Sequence, residues 1–186
     1  MAPRKATGRC ASALLTAVLA AGVLTGCELA DAASGSGCDG TGSRVDELKA
    51  YGVLDARPQG TVVPKGFESL DAGCWADSGE AWLYAERTYV FPGDKAEVTR
   101  FYKAAAEREG WRLSRAGEKS SKKDPAANLC FTLGEKDDST ILDVSFLTKT
   151  ILEDEESEPG PEFDTGAGYR VSVTSTADGS ATSCSD

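Results

Sequence analysis

The chain has 186 residues, 30 Asp and Glu against 20 Lys and Arg, and no histidine, for a formal charge of −10. Without imidazole there is no Ser-His-Asp or Cys-His activation of a nucleophile and no His-bearing zinc site. The excess of acid repels nucleic acid and anionic headgroups, so neither is expected as a partner and any membrane contact should be covalent.

The first 26 residues contrast with the rest. Arg4, Lys5 and Arg9 precede an apolar run from Ala11 to Leu24 that is too short for a good transmembrane span and has the form of a secretory signal. Removing the three leader cations leaves 17 Lys and Arg against 30 Asp and Glu, a formal −13 for residues 27–186. The run ends in Leu24-Thr25-Gly26-Cys27, which resembles a lipobox, the processing signal of bacterial lipoproteins. The resemblance implies that the Cys27 thiol receives a diacylglyceryl group, that palmitate-type chains anchor it, and that cleavage leaves Cys27 at the N-terminus on the outer face of the cytoplasmic membrane. A thiolate is the strongest nucleophile available to accept lipid.

Residues 27–43 are rich in Gly and Ser and are expected to be a tether, with one domain over 44–186. Gly35, Gly37 and Gly40 match G-x-G-x-x-G without a preceding strand, so no nucleotide site is assigned. Ser43 is expected to cap a short helix running to Tyr51 and closed by Gly52, followed by an irregular crossing over 55–66.

The spacing predicts a weak strand over 67–75 and a central strand over 80–91, ended by Pro92-Gly93. Asp94, with Glu97 three residues on, begins a helix over about 94–109. Val98, Phe101, Tyr102, Ala105 and Ala106 form its apolar stripe and Gly110 its C-terminal stop. Four runs with period-two alternation follow, at 111–114, 128–133, 140–147 and 168–175. The reading is α+β: a mainly antiparallel sheet of five or six strands, in the order β-α-β-β-β-β, with one main helix on one face. With Phe101-Tyr102 on the helix, Gly110-Trp111 at its end and cysteines in flanking strands, the chain resembles small actinobacterial membrane lipoproteins. That resemblance implies no activity.

With Cys10 in the leader and Cys27 lipidated, Cys38, Cys74, Cys130 and Cys184 are expected to form two disulfides. Three connectivities are open. Strand position favours Cys74 with Cys130, leaving Cys38 for Cys184. The absence of C-x-x-C argues against a redox pair or a Cys₄ metal site, and no cofactor or metal is expected.

The basic connection 111–128 and the acidic loop at about 152–167 read as solvated hairpin loops. Their functional alternatives are contact with teichoic acid or lipid headgroups and collection of Ca²⁺, but the acids lack the spacing of a calcium loop. Ser120 and Lys123 match S-x-x-K in a polar stretch, without the companion motifs of penicillin-interacting enzymes. The expected function is a non-enzymatic binding module of the cell envelope, engaging an envelope protein or cell-wall component through Trp75, Trp82 and Tyr84. A carboxylate-dependent envelope enzyme is the alternative. A small-ligand receptor is disfavoured, because one domain offers no hinge between lobes.

Overall fold

The structure is a computed structural model. It describes residues 37–77, 80–116, 128–135 and 138–184. The chain divides into Met1–Ser34 and Gly35–Asp186, and the fold is that of the second unit. The leader, Cys27 and most of the basic connection, with Ser120 and Lys123, lie outside the described residues.

Six strands form one antiparallel sheet: β1 (Asp71–Asp77), β2 (Glu80–Phe91), β3 (Arg112–Ala116), β4 (Leu129–Glu135), β5 (Asp138–Leu147) and β6 (Ala167–Thr176). Their order across the sheet is β1-β2-β6-β5-β4-β3. The α+β class and the antiparallel sheet agree with expectation. The order of elements differs, because a hairpin of two strands precedes the main helix. Gly73 did not prevent β1 from forming: Tyr84 lies opposite it in the ladder, and a Cβ at Gly73 would sit 3.1 Å from the Tyr84 hydroxyl. The aromatic ring thus covers the backbone that glycine leaves bare.

Alternation explains the core. Leu83, Ala85, Tyr89, Leu142, Val144, Tyr169, Val171 and Val173 point to one face and are almost fully buried. Burying each large apolar side chain contributes about 1.5–3 kcal/mol. The last strand, β6, fills the middle of the sheet between β2 and β5, so the core closes only when the C-terminal part of the chain is in place.

Among the described residues, three helices accompany the sheet: α1 (Gly42–Lys49), α2 (Lys95–Arg108) and α3 (Lys149–Asp154). In α2, Asp94 accepts a hydrogen bond from the Glu97 amide at 2.9 Å, as the capping pattern requires. Its stripe buries Val98, Tyr102, Ala105 and Ala106. Gly110, at φ 85°, reverses the chain so that the Trp111 amide donates to the Ala106 carbonyl. Replacing Asp94 by Ala is expected to cost about 1 kcal/mol, read as a lower urea midpoint with unchanged slope.

The helix cover is larger than the expected single helix. Leu48 of α1 and Val53 and Leu54 of a 3₁₀ turn (Gly52–Leu54) join the same core. α1 begins one residue before Ser43, and Gly52 opens the 3₁₀ turn instead of closing the helix. Thr41 turns the chain, its hydroxyl donating to the Cys38 carbonyl at 2.8 Å. Residues 37–43 therefore belong to the folded part and not to the tether. The irregular crossing is tied down by tyrosine hydroxyls: Tyr89 donates to the Leu54 carbonyl at 2.8 Å and Tyr102 to the Ala56 carbonyl. The isolated bridge Val62–Val90 then covers the edge of β2 beyond the reach of β1.

The acidic stretch is more structured than a solvated loop. Thr148 caps α3, Leu152 is fully buried, and a 3₁₀ turn runs over Pro161–Asp164.

The disulfides are Cys38–Cys74 and Cys130–Cys184, with Cα separations of 5.7 and 5.9 Å. All four expected cysteines pair, but the favoured connectivity is corrected. Cys74 lies on β1 and Cys130 on β4, with β2, β6 and β5 between them. At ~4.8 Å per strand that is about 19 Å, far beyond disulfide reach. They also face opposite ways: Cys74 pairs with buried Leu83, whereas Cys130 pairs with Asp143 on the other face. Each bridge instead ties one terminal segment to one face of the sheet.

Candidate functional site

The face opposite α1 and α2 is built on the even positions of β2, which place Trp82, Tyr84, Glu86 and Thr88 in one line. β1 extends this line sideways, because Trp75 pairs with Trp82, Gly73 with Tyr84 and Asp71 with Glu86. Trp75 is 50 % exposed, and Trp82 and Tyr84 are half-buried. The three aromatic residues singled out in the sequence thus lie side by side. Burial first, then the carboxylates of Asp71 and Glu86, push the Tyr84 phenol above its ordinary value.

Further along β2 the face becomes ionic. Arg170 of β6 donates two hydrogen bonds to Glu155, at 3.1 and 2.6 Å, and lies 3.4 Å from Glu86. A pocket of about 240 Å³ opens there, bordered by Phe67, Asp71, Glu86, Glu155 and Arg170. Burial raises the pKa of Glu86, the Arg170 guanidinium opposes this, and Asp71 adds to it. Burial also works against the charge on Arg170, but Glu155 and Glu86 outweigh it and leave its pKa raised. The pocket is a compensated ion cluster in which both glutamates already share one cation.

At the other end of the line, a hollow of about 290 Å³ lies beside Trp82. Glu80, Thr176, Asp178, Ser180 and Ser183 contribute its polar edge. The C-terminal segment forms one wall and is held in three ways. Arg44 donates to the Thr176 carbonyl at 2.9 Å and also to that of Ala177, Thr176 donates to the Ser180 carbonyl at 2.7 Å, and Cys184 is bridged to Cys130. The Ser180 hydroxyl, and then the Ser180 amide, which donates to Asp178 at 2.9 Å, hold the Asp178 carboxyl below the usual range.

Level with Glu86 and two strands over, on β5, lies Asp143, directly across the ladder from Cys130 and Ser172. Burial pushes its pKa up to about 6, and a hydrogen bond with Ser145 opposes the shift. Among the described residues, no three acidic or cysteine side chains gather as a metal ion would require.

Sequence reading missed Arg170, Glu155, Asp143 and Asp178. Arg170 and Asp143 occupy outward positions of alternating strands, where a charge signals only solvent. Arg170 meets Glu86 of β2 and Glu155 beyond α3, and Asp143 lies between Cys130 of β4 and Ser172 of β6, so local pattern carried no sign of either setting. A clue existed in Glu86 and Arg87, two charges inside a strand otherwise apolar on both faces. Comparison of the chain with protein families, curated proteins and solved structures finds no match.

Proposed function

We propose that this chain is a lipoprotein of the cell envelope, anchored through Cys27 to the outer face of the cytoplasmic membrane. It presents a disulfide-braced domain that binds an envelope protein or cell-wall component without catalysing a reaction. The observation that carries the reading is the juxtaposition of Trp75, Trp82 and Tyr84 on the sheet face opposite α1 and α2. Aromatic side chains in such positions provide large contact area at low cost in conformational entropy, which favours them at binding surfaces.

The lipobox-like leader and the two disulfides support an exported location. The eleven residue-to-residue steps from Cys27 to Cys38 reach at most about 40 Å when fully extended, so the tether is short. Carboxylate catalysis is the weaker reading, because Arg170 engages both Glu86 and Glu155 as ion pairs.

A photoreactive residue in place of Trp82 in the membrane-anchored protein tests the contact face. It is expected to crosslink to one dominant envelope component, whereas the same residue in place of Leu113, on the distant strand β3, should not. Equal crosslinking from both positions would contradict the assignment.

A further inference from the structure

We propose that the face along β2 from Trp82 to Glu86 binds an uncharged or amino-bearing glycan chain, with sugar rings stacked on Trp75 and Trp82 and hydroxyls bonded at the two flanking hollows. This deepens the contact-face reading and rests on it.

Trp82 borders one hollow, Glu86 borders the other, and Tyr84 lies between them on the same strand face. Four residues of extended strand separate Trp82 from Glu86, about 14 Å. The site is therefore a track and fits an elongated ligand better than a single small molecule.

Chemistry narrows the ligand. A pyranose ring carries C–H groups on its faces and hydroxyls around its rim. The faces suit an indole surface, and the rim needs partners that both donate and accept. Ser183 at the first hollow supplies a hydroxyl of that kind, Thr176 and Ser180, whose hydroxyl protons go to the Ser180 carbonyl and to Asp178, offer acceptor lone pairs, and Glu80 adds a carboxylate acceptor. An apolar protein anchor would instead need an apolar wall around the tryptophans.

Charge narrows it further. Among the described residues that line the two hollows, Asp71, Glu80, Glu86, Glu155 and Asp178 stand against the guanidinium of Arg170, which Glu86 and Glu155 already engage. Such a surface repels phosphate- or uronate-bearing polymers and accepts neutral or amino sugars. An extended peptide would draw on the unpaired backbone at the outer edge of β1, whereas the line Trp82-Tyr84-Glu86 lies on the face of the inner strand β2.

The test is calorimetric titration of the detergent-solubilised full-length mature protein with three tetrasaccharides: N-acetylglucosamine, glucosamine and galacturonic acid oligomers. The first two are expected to bind and the third is not. Trp75→Ala and Trp82→Ala should each weaken binding at least about tenfold, while Leu113→Ser leaves it unchanged. Trp75 is half-exposed, so its replacement keeps the proposal testable even if Trp82→Ala unfolds the domain. Failure of both uncharged and amino oligomers to bind, binding that ignores Trp75→Ala, or preference for the galacturonate would overturn the proposal. If no oligomer binds while position 82 still crosslinks to a protein, the glycan assignment falls and the contact-face reading stands. If neither occurs, both fall.

Discussion

Replacing Cys130 and Cys184 together by Ser is expected to destabilise the domain by about 4 kcal/mol in the chain-entropy account of a loop this long. The bridge joins residues 54 apart in sequence, so without it the unfolded chain regains the freedom of a long closed loop. The native state loses as well, because the bridge holds the C-terminal segment as one wall of the Trp82 hollow. The Cys38–Cys74 pair, 36 apart, closes a shorter loop and should cost slightly less. Urea unfolding of the two double variants measures both effects. Peptide mapping without reduction checks the pairing itself: fragments joining Cys38 to Cys74 and Cys130 to Cys184 are expected. A fragment joining Cys74 to Cys130 would require the two residues to share a sheet face and would contradict the strand order.

The second large effect has the opposite sign. Asp143→Asn is expected to stabilise the protein at neutral pH by up to about 3 kcal/mol. Burial raises the Asp143 carboxyl from 3.8 to about 6, so the folded state disfavours its ionised form. Below pH 3.8 the group is protonated in both states and carries no penalty. As pH rises toward 6 the unfolded chain releases its proton first, and stability falls; above 6 the loss is complete. The gain from Asn should therefore appear across that window and be absent at pH 3. Denaturant midpoints of wild type and variant at pH 3 and pH 7.5 read it directly, and an equal difference at both values would refute the burial argument. Asp143 lies across the ladder from Cys130, so opening the Cys130–Cys184 bridge should also expose it and shrink the gain.

These two residues show what a local reading of the chain reaches. The faces of β5 and β6 were legible, because Leu142, Val144 and Phe146, like Tyr169, Val171 and Val173, alternate with polar neighbours, and period-two burial is a local property. The main helix was legible from Asp94, Glu97, its apolar stripe and Gly110, all within one short stretch. Disulfide partners were not legible. Their choice depends on which face each cysteine meets and on how many strands intervene, and both follow from β6 inserting between β2 and β5. The same non-local step delivers Arg170 to Glu86 and Glu155. Trp75, Trp82 and Tyr84 could be singled out as residue types, but their adjacency depends on the register of a hairpin that Gly73 made look weak.

The hairpin also accounts for the character of the candidate face. β1 is an edge strand, and Trp75 pairs with Trp82 at its inner side, so two indoles share one open surface. A monomeric domain gains little from leaving a half-exposed tryptophan in that position, which is why the pair reads as a contact surface. The polar groups around it favour a hydroxylated partner. The acidic domain as a whole resists adsorption to anionic surfaces, consistent with attachment through a covalent lipid at the end of a short tether.

The most direct test of the central proposal is intact-mass analysis of the mature protein recovered from membranes, together with detergent partition of a Cys27→Ala variant. An N-terminus at Cys27 carrying a diacylglyceryl group is expected, and a variant that no longer follows the detergent phase. A mature chain that starts elsewhere without lipid, or a Cys27→Ala variant that partitions as wild type does, would contradict the proposal.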